Sequence, residues 1–328
     1  MAATIRAVAE AAGVSITTVS FVLNNKRPQV EAIPKSTRDR VKACAAALSY
    51  RRNVAAASLR TGRSLWIGAV MQPLKDESQA WTWAPYELSL LSGVQNTLSD
   101  YGYFMVLGAN TEGKDVESVE ALVSSGIGGL ILRRPSRAVV EMAGTLVEEG
   151  MPVVAVFPER DDDLYPYTID MDNTRAGTMA ADLLIDEGRK RMMYVSGEWP
   201  RESNILRAEG FCRKIHEMCG STPFGLRLDF TSGRESENVS VIAAALEEQE
   251  PDAVMCTDAG SAYLTSFAAA SLDLDVPKDL SIIGFDCYSF RSAKGRRLAG
   301  IGTSWWEAGQ VAALTILDAL QGRDRPTE

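Results

Sequence analysis

The sequence predicts an α/β protein that begins with a small all-α head. Two short amphipathic segments open the 328-residue chain. From residue 65 onward, short apolar runs alternate with amphipathic segments, which is typical of parallel strands buried on both faces and connected by helices. Charge divides the chain at the same place, because residues 1–63 hold eleven Lys and Arg against three acids, a balance of +8, and the remainder carries −17. The sequence therefore predicts a basic helical head and an acidic α/β body.

The first two helices are predicted within the segment Thr4–Asn24. Apolar residues recur there at the spacing of one helix face, at Ile5, Val8, Ala9 and Ala12. Gly13 follows where a left-handed residue ends such a helix. Ser15 is suited to N-cap a second helix, with Val14 and Val19 placed as a hydrophobic staple. Val19, Val22 and Leu23 would then face inward.

Two short helices joined by a glycine-containing turn are typical of a helix-turn-helix, whose second helix enters the DNA major groove. The exposed positions at the front of that helix are Ile16, Thr17, Ser20 and Phe21. The alternative is an ordinary pair of amphipathic helices in an α-rich domain. The basic balance of the head favours DNA, because neutralising phosphates supplies much of DNA affinity.

A third helix is predicted to begin between Pro34 and Ser36. Proline suits a first helical turn, and Ser36 followed by Asp39 resembles a capping box. Val41, Ala45 and Leu48 would give this helix its inward face. The alanine-rich segment that follows, up to Arg60, is too short to be a stable isolated helix and is predicted to fold only against a partner.

The body is predicted to contain eight strands with helices between most of them. The strand candidates are Leu65–Met71, Tyr103–Leu107, Gly129–Leu132, Val153–Phe157, Met192–Val195, Leu226–Phe230, Ala253–Cys256 and Leu280–Phe285. The helix candidates are 87–100, 115–125, 137–149, 173–187, 203–218, 235–248 and 260–272. This number of units fits either two doubly wound α/β subdomains or a (β/α)8 barrel.

Composition argues against several classes of function. The five cysteines are scattered without a CxxC pair, and His216 is the one histidine, so a zinc site or a histidine-based triad is not expected. The motifs GxxxxGK[ST], GxGxxG and GxSxG are not found, so no nucleotide cofactor and no enzymatic activity are expected. No apolar run is long enough to span a membrane and no signal peptide is visible, so a cytoplasmic protein is expected.

Several motifs together resemble the LacI/GalR family of bacterial transcription regulators. The head matches at Thr4-Ile5, Val8-Ala9, Ala12-Gly13-Val14-Ser15, Thr18-Val19-Ser20 and Leu23-Asn24, and the following segment at Tyr50, Asn53, Ala56, Leu59 and Arg60. The body matches at Pro85-Tyr86, Gly129–Leu132, Asp172-Asn173, Gly177, Arg207, Gly210-Phe211, Pro251–Val254 and Ser281–Asp286. The resemblance covers nearly the whole chain in order.

The resemblance implies a homodimeric repressor that binds double-stranded operator DNA. The DNA-binding residues it implies, together with the exposed front of the second helix, are Thr4, Ser15, Ile16, Thr17, Ser20, Phe21, Asn24, Asn53, Ala56 and Leu59. Hinge helices of the two protomers would pair on the operator, and Leu59 would wedge into a minor-groove step, as apolar side chains do in proteins that bend DNA. The alternative for Leu59 is packing against its own domain.

The resemblance also implies a periplasmic-binding-protein-like body of two doubly wound parallel-sheet subdomains. The expected divisions are a DNA-binding domain at 1–50, a hinge helix and linker at 51–64, an N-subdomain at 65–169 and 302–328, and a C-subdomain at 170–301. A small-molecule effector, a sugar or sugar derivative, would bind between the subdomains. The contacts that the resemblance implies are Tyr86, Arg207, Asp286 and Trp305. Further candidates for the same pocket are Arg133, Thr257 and Asp258.

Three departures from the family pattern matter. Phe21 stands where many members have an arginine that pairs with guanine, and Phe offers contact with a thymine methyl. Thr257 and Cys287 replace a frequent asparagine and aspartate of the pocket. Arg133 and Arg134 follow a strand at its carboxyl end, which suggests an acidic or phosphorylated sugar, with a solvated surface pair as the favoured alternative.

The sequence thus predicts a regulator whose affinity for operator DNA is controlled by an effector. The alternatives are a soluble sugar-binding protein and a sugar-processing enzyme that carries a helix-turn-helix. The basic head disfavours the first, and the lack of catalytic motifs disfavours the second.

Overall fold

The structure is a computed structural model that describes most of the chain. The described residues are 3–23, 29–50, 64–71, 77–108, 114–158, 167–197, 201–229, 234–287 and 290–323, of which 77–85 are described without their side chains. Within these ranges no single helix is long and apolar enough to cross a membrane, and only the first two helices, counted together across a 103° bend, reach that length and composition.

The N-terminal head consists of α1 (Ile5–Ala12), α2 (Ile16–Leu23) and α3 (Lys35–Ala47). Gly13 adopts a left-handed conformation with φ of +60°, and its N–H donates to the carbonyls of Ala9 and Glu10. The chain then bends by 103° into α2, which Ser15 caps by accepting from the N–H of Thr18 at 3.0 Å. The turn therefore forms as the sequence predicts, at an angle typical of a helix-turn-helix.

The head closes a small core of its own. Its fully buried residues are Val8, Ala9, Ala12, Val19, Val22, Val41 and Ala45. Two expectations are wrong. The capping box at Ser36 does not form, because α3 begins at Lys35 after Pro34 with no side-chain cap. Leu48 is 39% exposed, because the helix ends at Ala47 and Leu48 leaves its periodic face.

Two five-stranded parallel sheets form the body. The first unit contains the strands β1 (Trp66–Val70), β2 (Phe104–Leu107), β3 (Gly129–Arg133), β4 (Val153–Val156) and β5 (Tyr167–Ile169), in the order β2-β1-β3-β4-β5. Its helices are α4 (Glu77–Asp100), α5 (Asp115–Ser124) and α6 (Arg137–Glu148). Every residue of β3 and β4 is buried, as expected for central strands covered on both faces.

The second unit repeats this design. Its strands are β6 (Met192–Ser196), β7 (Phe224–Arg227), β8 (Ala253–Cys256), β9 (Ser281–Phe285) and β10 (Ala299–Ile301), in the order β10-β9-β8-β6-β7. Its helices are α7 (Asn173–Asp186), α8 (Glu202–Cys219), α9 (Glu235–Gln249) and α10 (Ala259–Ser271). The last helix, α11 (Trp305–Ala319), returns to the first unit and lies against α4.

Two open sheets exclude the (β/α)8 barrel that the strand count also allowed. The structure adds the three-residue strands β5 and β10, which are too short to carry an apolar signal. It also places β7 at Phe224–Arg227, two residues before its predicted start at Leu226. The strand β7 lies at the sheet edge with mostly exposed residues, so burial does not mark its limits.

Glycines allow two helix pairs to approach closely, one in each unit. A Cβ on Gly93 of α4 would overlap the carbonyl oxygen of Trp306, and a Cβ on Gly309 of α11 would overlap that of Leu90. In the second unit, Gly177 of α7 and Gly210 of α8 meet the carbonyl oxygens of Arg207 and Thr174 in the same way. Only glycine fits such backbone contacts.

Candidate functional site

The front of α2 presents a largely apolar surface. Ile16 is 36% exposed and Thr17 is exposed, while Ser20 and Phe21 are half-buried. None of these four belongs to the buried core of the head, to which α2 contributes Val19 and Val22. The surface therefore offers methyl and aromatic groups to a partner, and such groups can make apolar contacts with a thymine methyl.

Two of the predicted DNA-binding residues have capping roles. Thr4 accepts from the N–H of Ala7 at 3.2 Å and caps α1, while Ser15 caps α2. Both remain exposed at helix N-termini, where backbone N–H groups favour phosphate. The other predictions, Asn24, Asn53, Ala56 and Leu59, lie outside the described residues.

The carboxyl ends of both sheets converge on one cluster of side chains. Arg133 ends β3, Asp258 follows β8 and Asp286 follows β9, while Trp305 opens α11. Ligands of open α/β sheets bind at these strand ends. Arg134, Phe157 and Asp286 have positive φ values of 49°, 46° and 54°, and strained residues of this kind concentrate at functional sites. The cluster is therefore the candidate ligand cleft.

Tyr86 and Trp305 bridge the two units through Asp286. The Tyr86 hydroxyl donates to the backbone carbonyl of Asp286, and the Trp305 indole N–H donates to Asp286 Oδ1 at 3.4 Å. The Tyr86 and Trp305 rings lie 5.4 Å apart, centroid to centroid. Burial, followed by the charge of Asp286, raises the pKa of Tyr86. The hydroxyl therefore stays protonated as a donor.

Arg207 organises the second unit's side of the cleft. Its Nε donates to Asn173 Oδ1 at 2.9 Å, its Nη1 donates to the carbonyl of Thr257 at 2.7 Å, and its guanidinium lies 4.5 Å from the Phe285 ring centroid. Burial lowers the pKa of Arg207, against the opposing charges of Asp286 and Asp258. Arg207 is 8% exposed, and its two hydrogen bonds hold it within the electrostatic reach of both carboxylates.

Thr257 and Asp258 differ in their access to the cleft. Thr257 is completely buried, its hydroxyl accepting from the N–H of Gly197 at 3.2 Å and lying 3.3 Å from Ser196 Oγ. These bonds show that Thr257 supports the segment that follows β8 and is not exposed to a ligand in the cleft. Asp258 is half-buried, caps α10 and accepts from Asn204 Nδ2 at 3.4 Å.

Arg133 is not a surface residue, and the expectation of a solvated arginine pair is wrong for it. It is 4% exposed, its Nη1 donates to the carbonyl of Phe157 at 3.0 Å, and its guanidinium lies 4.8 Å from the Trp305 ring. Its Nε is 3.3 Å from Glu87 Oε1, too poorly aligned to be a hydrogen bond. Burial lowers the pKa of Arg133 to about 10. The positive charge of Arg133 is therefore already opposed by the carboxylate of Glu87 within the protein.

The structure adds residues that the sequence analysis missed. They are Glu87, Phe157, Asp170, Asn173 and Asn204, all in contact with the predicted residues or acting on their charges. Phe157 follows β4, so the rule that ligands bind at strand ends was a usable signal. Glu87 had no comparable signal, because its contact with Arg133 is tertiary. Among the described residues, no group of His, Cys, Asp or Glu is arranged to hold a metal ion.

Two models of known protein families match this chain. The family described as "Bacterial regulatory proteins, lacI family" matches residues 4–53, and "Periplasmic binding proteins and sugar binding domain of LacI family" matches residues 67–293. The ribose operon repressor of Escherichia coli strain K12 is 28% identical over 97% of this chain and 93% of its own length.

A second repressor and a solved structure are similar to this chain over nearly its whole length. The transcriptional repressor CytR of Escherichia coli strain K12 is 26% identical over 98% of this chain and 91% of its own. The lac repressor dimer bound to operator and the anti-inducer ONPF superimposes with a TM-score of 0.72, at 22% identity over 98% of this chain and 94% of that one. With family matches to both its head and its body, the chain belongs to the LacI family of bacterial transcriptional regulators.

Proposed function

We propose that this protein is a homodimeric repressor that binds operator DNA through α2. Its affinity for operator DNA rises or falls when a neutral sugar-like effector occupies the cleft. The observation that carries the proposal is the cluster formed by Tyr86, Arg207, Asp286 and Trp305, which joins both units at the ends of their sheets. The effector would occupy this cluster, between the N-subdomain at 65–169 and 302–328 and the C-subdomain at 170–301.

The chemistry of the cluster supports a polyhydroxylated ligand. Carboxylates accept from hydroxyl groups, guanidinium groups donate to them, and aromatic rings cover the C–H face of a sugar. Asp286 and Asp258 supply the acceptors, Arg207 the donor, and Trp305 with Phe157, whose centroids are 4.8 Å apart, the aromatic surface. An acidic effector is disfavoured, because Arg133 already faces Glu87.

The bridge across the units supports a route from effector to DNA. A ligand that competes for Asp286 changes the two hydrogen bonds from Tyr86 and Trp305, and with them the relative position of the units. In the dimer this would alter the pairing of the hinge segments at 51–64. Coupling of this kind is typically about 1–3 kcal/mol and requires a difference in effector affinity between the two states.

Footprinting on the DNA upstream of the protein's own gene tests the proposal. We expect the purified chain to protect a palindromic site, and one sugar of a panel to change its affinity for that site about 5- to 150-fold. Thr17→Ala should weaken protection, because Thr17 lies exposed at the front of α2.

The matched control is Thr145→Ala, an exposed threonine on α6, which should leave protection unchanged. Equal loss in both variants, or a protected site that no sugar affects, would contradict the proposal.

A further inference from the structure

A buried carboxylate on α4 lacks a hydrogen bond. Glu87, next to the bridging residue Tyr86, is 8% exposed. Both of its carboxylate oxygens are buried, and neither accepts a hydrogen bond within the part of the chain that the structure describes. Leaving a buried charged acceptor unsatisfied costs more than a typical hydrogen bond contributes. The Glu87 carboxylate is therefore suited to accept hydrogen bonds from a bound molecule.

Arg133 balances the charge of Glu87 without satisfying its oxygens. The 3.3 Å separation of Arg133 Nε and Glu87 Oε1 is a charge contact, and the N–H is not aligned with the oxygen. The Arg133 guanidinium instead donates to the carbonyl of Phe157 and lies against the Phe157 and Trp305 rings. An ionised carboxylate has about four acceptor positions, and none of them receives a hydrogen bond from the residues that the structure describes.

The surroundings of Glu87 belong to the cleft. Arg133 lies within the electrostatic reach of Asp170 and Asp286 as well as Glu87, and Arg207 within that of Asp170, Asp258 and Asp286. Arg133 and Arg207 already donate to Phe157, Asn173 and Thr257. Four arginines, Arg133, Arg134, Arg201 and Arg207, act on the same group of charges and oppose the four carboxylates. A negatively charged ligand would bring no donor to Glu87, whereas a neutral ligand with hydroxyl groups would bring the donors that Glu87 lacks.

We propose that Glu87 is a specificity-determining residue of the effector cleft, which accepts hydrogen bonds from hydroxyl groups of an uncharged ligand and disfavours its phosphorylated form. This inference rests on the proposed function, because it assumes that the cleft binds the effector. Burial raises the pKa of Glu87 against the opposing charges of Arg133 and Arg134. The native protein without ligand thus tolerates an unfavourable charge that the ligand would stabilise.

The variant Glu87→Gln separates this role from a purely structural one. It keeps the size of the side chain and removes the charge. In the full-length protein without ligand, we expect its melting temperature to equal or exceed that of the wild type. If Glu87 serves to hold Arg133, the variant leaves a buried guanidinium uncompensated and melts several degrees lower, which would overturn the proposal.

The ligand experiment uses matched pairs of probes: ribose and ribose 5-phosphate, glucose and glucose 6-phosphate, and uridine and its monophosphate. Binding is measured by the shift in melting temperature and by the change in operator affinity. We expect the wild type to respond to a neutral member over its phosphate, and Glu87→Gln to lose about 10-fold or more in affinity for that probe. Glu141→Gln, an exposed carboxylate on α6, is the control and should change neither.

Each other outcome counts against the proposal in a recognisable way. A wild type that responds to a neutral probe while Glu87→Gln keeps the same affinity overturns the role of Glu87 alone. A preference of the wild type for the phosphates overturns the selection against anions. A wild type whose operator binding responds to no probe overturns the proposed function together with this inference.

Discussion

Phe21 is the residue of the head for which the sequence makes the sharpest prediction. It is half-buried at the front of α2 and offers an aromatic edge rather than a hydrogen-bonding group. We expect the operator base facing it to be thymine, and Phe21→Arg to shift the preference to guanine by about 1–3 kcal/mol. Selection from randomised operator sites measures this preference.

The control for Phe21 is Phe104→Ala, an exposed phenylalanine of the body, which should leave every base preference unchanged. Recovery of guanine opposite Phe21 in the wild-type selection would show that another residue reads this position.

Tyr86 tests the bridge between the units. Tyr86→Phe keeps the ring beside Trp305 and removes the donor to the carbonyl of Asp286. We expect a loss of about 1 kcal/mol, the usual net contribution of one hydrogen bond, seen as a lower melting temperature. Tyr101→Phe, at a 58% exposed tyrosine, is the control. Equal melting of the Tyr86 variant and the wild type would show that the bridge contributes nothing.

Glu87 predicts a pH dependence of stability. Burial raises its pKa above the ordinary value of 4.5, so between 4.5 and the raised value the native state binds more protons than the unfolded state. The free energy of unfolding contributed by this group therefore falls as pH rises through that window. The melting temperature of Glu87→Gln minus that of the wild type should grow with pH over this window and then level off.

Melting curves at closely spaced pH values measure this difference. Glu141→Gln, at an exposed glutamate, is the control, and its difference in melting temperature from the wild type should show no comparable trend with pH. A difference that shrinks as pH rises would mean that Arg133 outweighs burial and lowers the pKa of Glu87.

At the scale of elements, two helix pairs position the cleft. The close contact of α4 with α11 places Tyr86 beside Trp305, and that of α7 with α8 places Asn173 beside Arg207. Both contacts depend on glycines that meet a carbonyl oxygen of the partner helix. The geometry of the cleft is therefore set by backbone contacts outside it.

Gly177→Ala tests this dependence. Its new methyl group would overlap the carbonyl oxygen of Arg207 and push α8 away. We expect a destabilisation of about 1–3 kcal/mol and a weaker response of operator binding to the effector, because Arg207 moves. Met179→Ala, at a 46% exposed position of the same helix, should stay within about 0.5 kcal/mol of the wild type. If Gly177→Ala is less stable but its operator binding still responds normally to the effector, the α7–α8 contact contributes to stability and does not set the position of Arg207.

The sequence predicts elements well where the signal is local. The turn at Gly13 and Ser15 follows from adjacent residues, and the buried strands β3 and β4 follow from continuous apolar runs. The strands β5 and β10 have three residues each and exposed positions, so their pairing is decided by the neighbouring strand. The Glu87–Arg133 contact could not be predicted either, because it depends on how α4 lies against β3.

At the scale of the whole molecule, charge is divided between the head and the body. Residues 1–63 carry +8 and the rest −17, so a polyanion is attracted to one end and repelled by the other. Such a distribution orients the protein on DNA before specific contacts form. Operator affinity should therefore fall steeply with salt, by a slope set by the number of phosphates neutralised.

Arg6 makes this argument testable at one position. It is exposed on α1, the helix that crosses the DNA backbone in a helix-turn-helix. We expect Arg6→Ala to weaken binding to operator and unrelated DNA alike and to reduce the salt slope by about 1. Lys294→Ala, an exposed lysine of the body, should leave the slope unchanged, because the acidic body is held away from phosphate. A slope altered only by the Lys294 variant would place the DNA on the body and contradict the assignment of the head.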